Sequence, residues 1–162
     1  MNLKPGDILH CSGSRLISRL IKKFTKSKFS HTALYIEIWD QPYVIDAQKD
    51  GVNVRPFKDW MDKYNYSFVV SRDTTLSEYH AKQLAKRALL KTGHTAYDLE
   101  SLLLRQPWKL LTGKWKTAKN EEEKMYCSEF VAWVYEIPNY YKMSPEDLYD
   151  WCVQHSLTQF EF

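Results

Sequence analysis

Cysteine is scarce in this chain of 162 residues. Three thiols, Cys11, Cys127 and Cys152, cannot all pair, and an odd count without an export signal points to free thiols and away from a disulfide framework. Long apolar runs are lacking as well. The run around Leu99, Leu102, Leu103 and Leu104 is broken within a few residues, whereas a membrane span needs about 20 apolar residues in succession. No segment is therefore expected to cross a bilayer. The opening Met1-Asn2-Leu3-Lys4-Pro5-Gly6-Asp7 has no apolar signal region, so a cytoplasmic protein is expected. Repeats and low-complexity segments are absent. Charge of one sign is not in excess either: 23 Lys and Arg face 20 Asp and Glu, a net +3 that gives no ground to expect a nucleic-acid partner.

What is present is the composition of a globular chain, 44% hydrophobic, 15% aromatic and 27% charged. A chain of this size buries roughly 68–70% of the surface it exposes when unfolded, enough for a core without disulfides or a structural metal. One domain over residues 1–162 is the expectation.

The pattern along the chain is mixed. Gly6-Asp7-Ile8-Leu9-His10 reads as a strand between turns. After Ser14, a plausible N-cap, Leu16, Ile17, Leu20, Ile21 and Phe24 keep helical spacing while Arg15, Arg19, Lys22, Lys23 and Lys26 fill the other positions. These residues form a basic amphipathic helix over 14–26. Residues 30–38 and 43–48, either side of Trp39-Asp40-Gln41-Pro42, predict a hairpin. Asp50-Gly51 marks a further turn, residues 57–64 a short helix and 66–71 a strand. Helical spacing returns from Leu76 to about Lys91, with Gly93 as its stop, and again over 97–105. Residues 106–124, with Pro107, Gly113 and three successive glutamates, read as a surface loop. A largely buried helix opens at Cys127, and Ser144-Pro145 caps the last one. Strands first and helices later predict an α+β fold with a mainly antiparallel sheet packed against helices.

Chemistry is carried by few residues. A cysteine at a helix N-terminus faces backbone N–H groups and the positive end of the macrodipole, which lowers its pKa from about 8.5 and offers an oxyanion site. Cys127 meets that condition. Alone it reads more readily as a small buried hydrophobe, so a partner base has to distinguish the two. His31 opens a strand, where a rigid sheet holds its ring. Glu37 shares its face but lies roughly 20 Å along the strand, too far to orient it. Asp46, on the other arm of the hairpin, falls within a residue or two of the position opposite His31, as does Gln48. Counting does not separate these two, although a carboxylate stabilises an imidazolium better than an amide does.

Lys4-Pro5-Gly6-Asp7-Ile8-Leu9, the stretch from Phe24 through Ser30-His31-Thr32-Ala33 to Ile36, Val44-Ile45-Asp46-Ala47, Gly93 with Tyr97-Asp98, Tyr126-Cys127-Ser128-Glu129-Phe130-Val131 and Ser144-Pro145-Glu146-Asp147-Leu148 carry a resemblance, in order, over nearly the whole chain. They resemble the circularly permuted NlpC-like, papain-fold cysteine hydrolases of the YiiX/YebB type. The histidine precedes the cysteine, the reverse of papain, as a permutation implies. The resemblance implies Cys127 as nucleophile, His31 as general base, Asp46 as the polar third member, and Tyr97 and Tyr126 as substrate-binding residues. Relatives commonly carry Glu where this chain has Asp46. The implied reaction is acyl transfer without metal or cofactor, on an amide bond of a cell-wall-like peptide or amino-acid conjugate.

Three rival readings stand beside it. The wider superfamily contains lipid acyltransferases, and helix 14–26 lying on an anionic membrane surface would suit a lipid acyltransferase or thioesterase. In a soluble domain the same helix would bury its apolar face in protein. A binding module on the same fold is the second rival. The third is a zinc site from Cys152 and His155 with His10 and Cys11. Trp108 and Trp115 are candidates to line a substrate cleft. Substrate identity and oligomeric state have no signature in the sequence.

Overall fold

The computed structural model describes residues 2–13, 16–64, 67–98, 100–114 and 123–161. Alternating apolar residues in the first half form strands β1 (Ile8–Ser12), β2 (His31–Ile38), β3 (Gln41–Gln48), β4 (Gly51–Pro56) and β5 (Ser67–Arg72), joined by β6 (Thr158–Glu161) from the end of the chain. They make one sheet in the order β4-β3-β2-β1-β5-β6, with every neighbouring pair antiparallel. The β2–β3 turn is tighter than expected: only Trp39 and Asp40 lie outside the strands, both at positive φ, as a two-residue hairpin turn requires.

The sheet is covered on both faces. On one, helix α5 (Cys127–Val134) sets Phe130, Val131 and Val134 against Ile8, Leu34, Ile36 and Ile45, and α6 (Pro145–Gln154) adds Leu148 and Cys152. On the other, α2 (Phe57–Tyr64) buries Trp60 against Leu9, Ala33, Tyr35, Val44 and Val70. Full burial of each such side chain contributes about 1.5–3 kcal/mol. Helix α3 (Glu78–Leu89) packs on α5, and α1 (Leu16–Thr25) on α4 (Gln106–Thr112). A buried bidentate ion pair, Arg72 Nε to Asp7 Oδ1 at 2.7 Å and Nη2 to Asp7 Oδ2 at 2.6 Å, ties β5 to the start of β1.

Some local expectations shift. The helix expected from Leu76 begins at Glu78, because the Ser77 side chain accepts from the His80 N–H and caps it there. The expected loop over 106–124 contains α4. A π-helical turn, Ser101–Arg105, runs directly into it, with the Gln106 N–H bonded to the Ser101 carbonyl. That wider turn accommodates Pro107, whose ring would otherwise clash with the preceding turn and end the helix. Strand β6 carries no clear signal in the sequence. The expected N-cap Ser14, and Trp115 in the loop, lie outside the described residues.

Gly51 links the sheet edge to the segment that leads toward Cys127. Its φ is +92°, and a Cβ there would stand 2.6 Å from the Thr95 carbonyl oxygen. The Val52 N–H donates to that same carbonyl at 3.0 Å. Gly51→Ala is therefore expected to lower stability by about 1–3 kcal/mol, read as a lower midpoint in urea unfolding; an unchanged midpoint would refute the tight approach.

Candidate active site

Two strands and a helix start bring the predicted residues together. Ser30 anchors the beginning of β2: its N–H donates to the Cys11 carbonyl at 2.8 Å, and its hydroxyl accepts from the Gly13 N–H at 2.9 Å. His31 follows as the first residue of the strand. On the helix side, the Ala96 N–H donates to the Glu123 carbonyl and the Met125 N–H to the Ala96 carbonyl, so a short parallel bridge fixes the approach to α5. Ser128 then donates its hydroxyl to the Met143 carbonyl at 2.7 Å, fixing the first turn to the segment before α6.

The His31 ring bonds Asp46, Nε2 to Oδ2 at 2.8 Å. The strand register, with Leu34 opposite Ile45 and Tyr35 opposite Val44, when continued places Gln48 opposite His31. Yet Gln48 does not take the ring. It donates its Nε2 to the same Asp46 oxygen at 2.6 Å, so the two candidates left open by counting act in series. Trp60 Nε1 donates to that oxygen at 2.9 Å and Arg55 Nε to Oδ1 at 3.0 Å. Four donors thus converge on one fully buried carboxylate.

Electrostatics follow from this cage. Burial works against the Asp46 charge, but the hydrogen bond and charge of His31, then Gln48 and Trp60, hold its pKa at about 2. Burial also opposes charge on His31; the Cys127 charge and the Asp46 hydrogen bond outweigh it and push the imidazole up to about 10. Burial would raise the Cys127 thiol, and the His31 charge and hydrogen bond, followed by the backbone and hydroxyl of Thr32, bring it below the ordinary thiol value. Since Nε2 is committed to Asp46, Nδ1 is the ring nitrogen left for the thiol. The arrangement favours a thiolate beside an imidazolium, with a counter-carboxylate behind the ring.

The pair spans the end of the sheet. Asp46 belongs to the face covered by Trp60, and Cys127 to the helix on the opposite face. Thr32, the next residue of β2, is buried on the α5 side in line with Leu34 and Ile36. Its buried Oγ1 has the Cys127 sulfur, whose charge it favours, as its neighbour and makes no other hydrogen bond among the described residues. Glu129, in the first turn of α5, is pushed up to about 9 by burial and by Asp98. Neutral at pH 7, it does not compete with a thiolate for the positive end of the helix.

The other predicted positions separate. Tyr126 is fully buried, its hydroxyl accepting from Gln106 Nε2 at 2.9 Å and donating to the Tyr141 carbonyl at 3.2 Å. Its ring belongs to the support of the site, and both hydroxyl roles are used within the protein. Tyr97 is half-buried and packs beside Tyr126 and Ile21. Trp108 lies exposed on α4. Cys11 and Cys152 are buried, and burial pushes Cys11 well up and Cys152 to about 12. His10 donates to or accepts from Ser71 Oγ at 2.9 Å, and His155 stacks on Trp151. Among the described residues no group of three or more His, Cys, Asp or Glu is arranged to hold a metal ion, so the four zinc candidates do not form a site. Trp60 and Arg55 escaped sequence reasoning. Neither has a local pattern that ties it to Asp46.

Comparison with known proteins gives two findings. The family described as permuted papain-like amidase enzymes, YaeF/YiiX, C92, matches residues 2–150. The fold is similar to the crystal structure of the metalloprotein YiiX from Escherichia coli O157:H7, with a TM-score of 0.66 and 26% sequence identity over 89% of this chain and 69% of that one. Among curated proteins none matches.

Proposed function

This chain belongs to the permuted papain-like amidases of the YaeF/YiiX, C92 family, and from that membership we propose that it is a cysteine amidase acting through Cys127, His31 and Asp46. The observation that carries the proposal is the continuous chain from the Cys127 thiol through the His31 ring to the buried Asp46 carboxylate.

His31 holds the proton taken from Cys127, and the thiolate attacks the carbonyl carbon of the substrate amide. The first-turn N–H groups of α5 have no intrahelical acceptor and face the oxyanion that forms. His31 gives its proton to the leaving nitrogen, the C–N bond breaks, and a thioester remains on Cys127. Water, deprotonated by His31, then attacks the thioester and restores the thiol. Asp46 keeps the ring in the orientation that presents Nδ1 to sulfur, and Arg55, Trp60 and Gln48 keep Asp46 in place. The similar E. coli protein is described as a metalloprotein; among the described residues here no group of His, Cys, Asp and Glu is arranged to hold a metal ion, and no step runs through one.

The substrate class we favour is the amide of a cell-wall-like peptide or amino-acid conjugate. The test is a panel of N-acyl amino acids, short peptide amides and acyl esters, with mass spectrometry of the protein quenched during turnover. An acyl adduct on Cys127, formed from amides and abolished in Cys127→Ala, is expected. An adduct from acyl esters alone would assign the acyltransferase or thioesterase reading, and turnover retained by Cys127→Ala would overturn the mechanism.

A further inference from the structure

The near-neutral total charge conceals a strong division. Residues 8–36 and 101–120 together hold eleven of the 23 Lys and Arg and none of the 20 Asp and Glu, which leaves twelve bases against twenty acids, a net charge of −8, for the rest of the chain. The fold brings α1 of the first stretch and residues 101–112 of the second side by side, because α1 packs against α4 and the π-helical turn before it.

The surface they share is apolar as well as basic. Leu104, Trp108 and Leu111 stand at i, i+4 and i+7 and are 65%, 42% and 84% exposed. On α1, Ser18, Ile21 and Thr25 face inward, and Leu20 and Phe24, one turn apart, are exposed. The amphipathic helix therefore buries one stripe and still presents large apolar side chains outside, next to exposed Arg19, Lys23, Lys26 and Lys28. At the border of this surface Asp147 pairs with Lys109, Glu100 with Arg105, and Glu146 accepts from Ser27 and Lys28. Arg19, Lys23 and Lys26 have no such acid on their own helix, and leucine, phenylalanine and tryptophan set beside them are the pattern of a helix surface that seats itself in a lipid headgroup layer.

We propose that the α1–α4 surface docks this protein on an anionic lipid membrane. Charge selects the occupant and its orientation: an anionic bilayer attracts the base-rich α1 face and repels the net negative remainder, so the molecule meets the lipid in one way. The surface also adjoins the catalytic end. Ile21 of α1 packs on Tyr126, the residue before Cys127, and Gln106 of α4 donates to the Tyr126 hydroxyl at 2.9 Å. Docking therefore sets the end of α5 that carries Cys127 close to the lipid, where an acyl amide or ester held in the membrane is within reach. The docking itself does not depend on the catalytic reading, and Cys127→Ala is expected to dock as the unaltered chain does.

The test is co-sedimentation of the full chain with vesicles of phosphatidylserine in phosphatidylcholine, and with phosphatidylcholine alone, at low and high salt. The protein is expected to pellet with the anionic vesicles at least tenfold more strongly than with the neutral ones. Arg19→Glu with Lys23→Glu weakens binding by about fivefold or more for each base reversed. Leu104→Ser with Leu111→Ser, both exposed and harmless to the fold, weakens it by at least tenfold. Lys82→Glu on α3 leaves it unchanged, and circular dichroism confirms that each variant is folded. No pelleting, or equal pelleting with neutral vesicles, overturns the proposal. Binding that ignores the leucine changes and is matched by an oligonucleotide also overturns it, because it assigns a general polyanion surface.

Discussion

Iodoacetamide is expected to alkylate Cys127 with a pH midpoint below that of an ordinary thiol, and His31→Ala to move that midpoint up to the ordinary range or beyond it. This is the expected result of the ion pair, and the sign follows from its two members. As pH rises the rate climbs through the lowered Cys127 pKa, because the thiolate is the nucleophile, and then stays level until His31 loses its proton near 10. At pH 6 a thiol of pKa 8.5 is only about 0.3% thiolate, so the lowered Cys127 pKa raises its rate there above that of an ordinary thiol. Cys127 is fully buried in the resting structure, which slows the reagent at every pH, and the midpoint, not the absolute rate, is therefore the reading. Cys11 and Cys152 serve as references in the same sample. Both are buried and have raised pKa values, so they stay unmodified until the protein unfolds. A Cys127 midpoint at the ordinary thiol value, unmoved by His31→Ala, would sink the thiolate–imidazolium pair and leave a binding module on the same fold.

Asp46→Ala is expected to damage both turnover and stability, for one physical reason. The carboxylate is the acceptor for four buried or half-buried donors, and its removal leaves the His31 charge without its carboxylate and Arg55 with only the more exposed Asp50. Breaking a buried pair in this way costs about 3–5 kcal/mol. Loss of the orienting carboxylate lowers kcat by about 10⁴ where comparable triads have been altered. Asp46→Asn keeps the shape and is expected to recover part of the stability and little of the rate. Gln48→Ala, which removes one donor and no charge, should cost about tenfold or less. The same site predicts acid sensitivity. The Asp46 pKa is lower in the folded protein than in the unfolded chain, so its contribution is fully present above about pH 4 and is lost as pH falls through about 2. Urea unfolding at a series of pH values, with turnover for each variant, reads all of this. Wild-type stability in Asp46→Ala, with an unshifted Cys127 midpoint, would remove Asp46 from the site.

Much of this architecture is legible in local patterns. The alternation in residues 30–38 and 43–48 encodes the central hairpin, and the hairpin brings His31 within two residues of Asp46 because a strand pair has a fixed register. The spacing of Cys127, Phe130, Val131 and Val134 marks a helix buried along one face, with the thiol at its start. Helix α4 was hidden because Pro107 reads as a breaker, and only the π-helical turn before it makes the proline compatible with a helix. Strand β6 is a short edge strand whose pairing with β5 comes from docking and not from its own pattern. The basic helix reads correctly as amphipathic, but its exposed Leu20 and Phe24 are visible only once α1 is seated.

The sequence by itself determined the α+β class, the antiparallel hairpin and the position of a cysteine at a helix start, because periodicity and capping act within a few residues. Tertiary structure alone decided that His31 reaches from the Trp60 face of the sheet to a helix on the other. It also decided that Gln48, Arg55 and Trp60 all converge on Asp46, that Tyr126 is sealed in the core, and that two distant acid-free stretches share one surface. Those outcomes depend on contacts between residues far apart in the chain, and such contacts are set by how the whole core packs and by the cost of leaving a buried charge unpaired.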